Sequence, residues 1–159
     1  MKAVDLSKYI IAKFDNVGDL ITNKKLQKVL YYTEAWSLVY LNSIIDEDFE
    51  AWVHGPVIPS IYRDNKKFGY SPIILDYNGL DSSKFISKFI KDTKIEKQQL
   101  ELIDAVLKKY GVLSSQELEM LSHSEKPWII TRNNIAPFDH CSVIINKELI
   151  RSFYSSLIK

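Results

Sequence analysis

The sequence predicts an α+β fold that is predominantly α-helical, with about six to eight helices and a small antiparallel β element in a single compact domain over residues 1–159. Three observations predict this class. Apolar residues recur at helical spacing through most of the chain, and residues typical of helix starts and ends separate these segments. Only residues 49–53 and 141–145 have the pattern of short strands. The chain is 159 residues long and 46% hydrophobic, which is enough to bury one core.

Two helices are expected in the N-terminal quarter of the chain. In the first, apolar residues recur at helical spacing between about residues 5 and 16, and Gly18 then breaks the pattern. Thr22 is expected to cap a second helix that continues to about Leu41. This second helix is apolar around most of its circumference, which is typical of a helix at the centre of a core.

A strand, a turn and a short helix are expected next. Residues 49–53 alternate as in a short strand. Gly55 and Pro56 are expected to form the turn after it, because glycine accepts positive φ and proline fixes its own φ. Pro59 suits the first turn of a helix, which is expected to end near Gly69.

Further helices are expected after residue 80, each with its own N-cap. Two of these caps belong to capping-box sequences, in which Ser or Thr is followed three residues later by Glu. Residues 141–145 are expected to form a second strand before the last helix. The predicted caps are Asp81, Thr93, Ser114, Ser124 and Asn146.

Charge and composition argue against several classes of partner. Formal net charge is +1, and nonspecific nucleic-acid binding usually requires a clustered basic excess, so a nucleic-acid partner is not expected. Two local basic clusters are expected to be solvated helix faces; a nucleic-acid-binding regulator that uses them is kept as an alternative. The clusters are Lys24, Lys25 and Lys28, and Arg63, Lys66 and Lys67.

Compartment can also be inferred from the sequence. The single cysteine excludes an internal disulfide and suits a reducing environment. The N-terminus has no hydrophobic signal core, and the longest apolar stretch, residues 29–41, is interrupted by polar residues and shorter than the roughly 20 residues of a membrane span. A cytoplasmic protein without a membrane partner is expected.

No catalytic, cofactor or metal site is expected, and the chain is not expected to be an enzyme. It has no glycine-rich phosphate loop, and its three histidines lack the short spacings of zinc ligands. Cys141 follows His140, but neighbouring side chains of an extended segment point to opposite faces and so would not pair as nucleophile and base.

Three motifs, in order along the chain, resemble those of one family. Residues 25–32 (KLQKVLYY) look like a "KLQKLLYY" helix, and residues 49–63 resemble a "FEAWxxGPVxPxxYR" motif. Residues 121–123 with residues 127–128 are similar to an "LSH…PW" element. Together they resemble the Panacea domain family, also called the SocA-like antitoxin domain, which includes phage-associated proteins.

The resemblance implies a noncatalytic antitoxin of a bacterial or phage toxin–antitoxin pair, which neutralises a toxin encoded by an adjacent gene through direct contact. The alternative in this family is an adaptor that delivers the toxin to a AAA+ protease. Exposed Trp and Tyr often dominate interface energies, although the same residues could instead hold the fold together. The partner-binding candidates are Trp52, His54, Gly55, Pro56, Val57, Pro59, Tyr62, Arg63, His123, Pro127 and Trp128.

Overall fold

A computed structural model describes all 159 residues and confirms a mostly helical α+β fold with a two-stranded antiparallel sheet. No helix in it has both the length and the apolar character needed to span a bilayer. The elements are α1 (Ala3–Asn16), α2 (Asn23–Tyr40), β1 (Glu50–Trp52), β2 (Gly55–Val57), α3 (Pro59–Asn65), a 3-10 turn (Lys66–Phe68), α4 (Ser82–Thr93), α5 (Lys97–Tyr110), α6 (Ser115–His123), α7 (Lys126–Arg132) and α8 (Lys147–Ser156).

Helix α2 lies at the centre of the core, as its all-round apolar pattern predicts. It packs against α1, α3, α5, α6, α8 and β2. Thr22 caps it as expected, because its hydroxyl accepts a hydrogen bond from the Lys25 backbone N–H at 3.3 Å. The core, to which α2 itself contributes, contains 32 buried hydrophobic residues. Burial of this much apolar surface is the main favourable contribution to folding.

Two buried carboxylates connect α2 to later parts of the chain. Glu34 accepts hydrogen bonds from the backbone N–H groups of Ile44 and Ile45, both at 2.9 Å, and pairs with Lys147 of α8 at 3.0 Å. Glu125 accepts hydrogen bonds from the hydroxyls of Tyr32 and Tyr154, and its burial raises its pKa. Because each oxygen has a partner, these carboxylates join helices that are distant in sequence.

The second strand is not where the sequence predicted it. Gly55–Val57 forms β2, so Gly55 and Pro56 are not the turn; the hairpin turns at Val53 and His54. Proline fits in β2 because Pro56 lies opposite Ala51, whose N–H donates to Val143 on the other side. The pair is therefore of the non-hydrogen-bonded kind, in which no proline N–H is needed.

The predicted strand at residues 141–145 runs beside β1 without completing a ladder. It makes one isolated bridge, Glu50 to Ile144. The Ala51 N–H donates to the Val143 carbonyl at 2.9 Å, and the Ile145 N–H donates to Phe49 at 2.8 Å. The Val143 N–H does not donate back to the Ala51 carbonyl, because that carbonyl accepts from the Arg132 guanidinium at 2.9 Å instead.

Three of the five helix caps predicted after residue 80 are confirmed, and two are wrong. Asp81, Ser114 and Asn146 accept from backbone N–H groups at the starts of α4, α6 and α8. Thr93 is instead the last residue of α4, and Glu96 forms the capping box of α5. Ser124 is the C-cap of α6, just after its last residue, and its hydroxyl donates to the Leu121 carbonyl at 2.6 Å.

Candidate functional site

The β1–β2 hairpin is the centre of the candidate site, and Gly55 determines how closely it approaches α2. Gly55 has φ of +102°, which L side chains rarely adopt. A Cβ atom there would lie 2.6 Å from Lys28 Cε and 2.8 Å from Ser122 Oγ. Both the backbone conformation and the available space therefore require glycine.

Lys28 lies beneath the hairpin and is fully buried. Its Nζ donates to the Pro56 carbonyl at 3.2 Å, and burial lowers its pKa from the ordinary 10.5 to about 7. The expected solvated face at Lys24, Lys25 and Lys28 is therefore wrong. Lys24 pairs with Glu119, and Lys25 is held by a carbonyl of the α5–α6 loop.

Helix α7 holds the back of β1 through two side chains. Trp128, only 8% exposed, donates from its indole N–H to the Trp52 carbonyl at 2.8 Å. Arg132 donates to the Ala51 carbonyl, and its guanidinium carbon lies 4.9 Å from the centre of the Trp128 ring. Pro127 is buried in the first turn of the helix. The "PW" motif therefore supports the strand of the "FEAW" motif.

Sequence reasoning missed Arg132. Its guanidinium is buried without a carboxylate and donates to the carbonyls of Ala136 and Asp139, at 2.7 and 2.6 Å, as well as to Ala51. The available signal was its position four residues after Trp128, which places both side chains on the same face of one helix. This residue holds the loop before residue 140 against β1.

His123, the last residue of α6, stacks on Trp128 with ring centroids 4.0 Å apart and planes 21° from parallel. Burial lowers its pKa below the ordinary value. Its Nε2 is buried without a hydrogen-bond partner. The imidazole therefore packs as a largely apolar ring beside the indole.

The exposed part of the site is an aromatic pair beside the hairpin turn. Trp52 and Tyr62 are each half-buried and meet edge to face, with ring centroids 5.0 Å apart. The Trp52 indole N–H donates to Glu50 at 2.6 Å. Helix α2 holds the backbone of Tyr62 in place, because Asn23 donates to the Tyr62 carbonyl at 3.2 Å. Neither ring is fully buried.

The eleven partner-binding candidates thus divide by exposure. We use the name hairpin face for those at or near the surface of the hairpin and α3: Trp52, His54, Pro59, Tyr62 and Arg63. His54 is exposed and contacts Glu119 through Nδ1 at 2.8 Å. His123 is partly buried, and the remaining candidates are buried beneath the face: Gly55, Pro56, Val57, Pro127 and Trp128.

The structure contains no cluster of side chains with the composition of a metal site, since no group of three or more His, Cys, Asp or Glu side chains could hold a metal ion. Cys141 is buried and His140 is exposed. What the hairpin face presents is rigid aromatic surface with polar edges, which suits recognition of another protein.

An open groove lies elsewhere on the molecule, and no sequence motif indicated it. It has a volume of about 450 Å³ and lies between α2 and α5. Trp36 and Tyr40 line one side, Leu102 and Val106 the other, and Lys109 lies 5.5 Å from the centre of the Trp36 ring. The groove is at the C-terminal end of α2, whereas the hairpin packs near its N-terminal end.

Comparison with known proteins adds family information. The family model described as "Antitoxin SocA-like, Panacea domain" matches residues 26–129, which include the hairpin and Trp128. Antitoxin SocA of Caulobacter vibrioides (strain NA1000 / CB15N) is 33% identical over 118 residues, which are 71% of this chain and 61% of that protein. The match therefore spans less than two thirds of that relative. No solved structure matches with significance.

Proposed function

The chain belongs to the SocA-like antitoxin family with the Panacea domain, and on this basis we propose that it neutralises a protein toxin by binding it directly through the hairpin face. The toxin would be the product of an adjacent gene. Binding would take place in the cytoplasm, where the single thiol, Cys141, stays reduced. The proposed role is noncatalytic.

The observation that carries the proposal is the half-exposed Trp52–Tyr62 pair on a rigid support. Trp and Tyr are enriched among the residues that dominate interface energies. The carbonyls of Trp52 and Ala51 are held by Trp128 and Arg132, and the Trp52 indole bonds to Glu50, so these contacts restrict the backbone and the ring before binding. Such preorganisation increases affinity, because less of the interaction energy is spent on ordering the surface.

The test is coexpression with the product of the adjacent gene in cells whose growth that product arrests. Wild-type protein should restore growth, and Trp52→Ala and Tyr62→Ala should each weaken binding by roughly 30-fold in Kd, as expected for a hot-spot residue. Tyr70→Ala is the matched control, because Tyr70 is 98% exposed and contacts no other ring. Thermal melts would establish that each variant folds.

Two results would count against this proposal in different ways. If the adjacent product is harmless alone, or stays toxic beside wild-type protein, the antitoxin role fails. If wild type protects but both folded variants protect equally well, the antitoxin role stands and the contact surface lies outside the hairpin face.

Delivery of the toxin to a AAA+ protease is a second candidate function. An adaptor needs a surface for the protease besides the surface for its cargo. What supports this candidate is the α2–α5 groove, a second largely apolar surface that is separate from the hairpin face. Toxin half-life separates the two functions, because an adaptor shortens it in cells that contain the protease whereas a sequestering antitoxin leaves it unchanged.

A further inference from the structure

The segment at residues 141–145, here called the edge segment, forms the open side of the small sheet. Its Val143 carbonyl bonds to Ala51 of β1, and its Ile145 N–H bonds to Phe49 just before β1. Since backbone groups of an extended chain alternate in direction, the N–H and C=O groups of Ser142 and Ile144 point away from β1. No hydrogen bond within the chain reaches any of these four groups.

The edge segment also lacks the usual protection of a sheet edge. Val143 and Ile144 are 50% and 54% exposed, and Phe138, shortly before them, is 90% exposed. Native proteins commonly cover such edges or interrupt them with lysine, proline or a bulge. Residues 141–145 (CSVII) contain no charge and no proline. The edge segment thus offers another extended chain both unpaired backbone groups and exposed apolar side chains.

We propose that an extended segment of the toxin adds to the edge segment as a further strand of the sheet. The order would become β2, β1, edge segment, toxin strand, with the outward groups of Ser142 and Ile144 supplying up to four hydrogen bonds. Apolar toxin side chains would cover Val143 and Ile144. The inference rests on the proposed function, because the added strand belongs to the toxin being neutralised.

Continuity with the hairpin face favours the toxin over a second copy of this chain. His140, just before the edge segment, lies beside Trp52, with ring centroids 6.2 Å apart. A strand that follows the edge therefore reaches the exposed aromatic pair and extends the contact. Self-pairing would rest on two outward-facing residues from each copy, far less than the roughly 800 Å² per partner that a stable interface buries.

Proline substitutions test the backbone contacts directly. Ile144→Pro and Ser142→Pro each remove an outward N–H that bonds nothing within the chain, and proline is tolerated at such edge positions. Each should weaken binding of the purified adjacent-gene product by roughly tenfold or more, because a toxin carbonyl is left unpaired. Ile144→Val is the matched control, since it keeps the N–H and the β-branched side chain, and it should leave Kd within about twofold.

Amide hydrogen exchange on the wild-type protein provides the second readout, which does not depend on any variant folding. In the complex, the amides of Ser142 and Ile144 should exchange roughly tenfold or more slowly than in the free protein. Unchanged exchange in a complex that forms and neutralises would overturn the edge proposal and leave the proposed function intact. Protection that appears in the protein alone at high concentration would assign the edge to a second copy and likewise overturn it. No binding by the wild type would end both proposals.

Discussion

Replacing Lys28 with methionine should stabilise the protein, although it removes a hydrogen bond. The fall in the Lys28 pKa from 10.5 to about 7 means that burying the ammonium costs roughly 5 kcal/mol near neutral pH. Methionine has nearly the same length and no charge, but it leaves the Pro56 carbonyl without its donor, which costs about 1–3 kcal/mol. The expected net gain in the free energy of unfolding is about 2–4 kcal/mol near pH 7.

The same argument fixes a pH dependence. Because the folded pKa is lowered, the unfolded state binds more protons between about pH 7 and 10.5, and wild-type stability should rise with pH in that window. Between about pH 7 and pH 9 the rise from Lys28 alone is roughly 2 kcal/mol. The gain from Lys28→Met should shrink by the same amount.

Urea unfolding at several pH values between about 7 and 9 would measure both effects. Lys8→Met is the matched control, because Lys8 is exposed on α1 and its removal should leave the pH slope of stability unchanged. The reasoning is refuted if Lys28→Met keeps the wild-type slope, or if it unfolds at a lower urea concentration than wild type near pH 7.

Three further substitutions have expected outcomes. Gly55→Ala should destabilise the protein by about 2–5 kcal/mol, because the new methyl group overlaps Lys28 and the positive φ is strained. Trp128→Phe keeps the aromatic ring but loses the N–H donated to the Trp52 carbonyl, and should cost about 1–3 kcal/mol. The raised pKa of Glu125 stabilises the fold at acid pH and loses that contribution as pH rises above 4.5, so Glu125→Gln should gain stability relative to wild type from about pH 4 to pH 7.

Chemical denaturation measures all three, and each has an outcome that would contradict it. A Gly55→Ala protein as stable as wild type would show that the hairpin can move away from α2. Unchanged stability in Trp128→Phe would mean that the Trp52 carbonyl finds another donor. Parallel pH profiles for Glu125→Gln and wild type would show that the carboxyl titrates alike in the folded and unfolded states.

Local signals were enough for most of the helices. Thr22, Ser114 and Asn146 each cap a helix through a bond to a backbone group two or three residues away, so the sequence contains the whole interaction. The central place of α2 also follows from its own composition. Thr93 does not cap α5, because its hydroxyl donates to the Phe89 carbonyl of α4 instead. The neighbouring residues do not determine whether this hydroxyl bonds within α4 or caps the next helix.

The hairpin and its supports depend on contacts that are distant in sequence. Strand β1, which pairs with Gly55, is held by Trp128 and Arg132 from more than 70 residues away, and a local pattern does not contain these contacts. The spacing of Lys24, Lys25 and Lys28 is typical of a solvated helix face. In the fold, however, β2 covers Lys28. Residue types alone could not show which side of α2 the hairpin occupies. The candidate residues from the motifs lie together at or beneath the hairpin, but the motifs did not separate exposed residues from those that support them.

The partners of the buried carboxylates Glu34 and Glu125 limit how far this protein can be truncated. The family match ends at residue 129, within α7, and therefore excludes Arg132 and all of α8. A fragment limited to residues 26–129 would leave Glu34 without Lys147 and Glu125 without Tyr154, and it would free the Ala51 carbonyl in β1. Unpaired buried charge is among the most destabilising changes a protein can undergo. The matched stretch thus lacks partners of buried groups in the core, and a fragment prepared for interaction mapping should keep α7 and α8 whole.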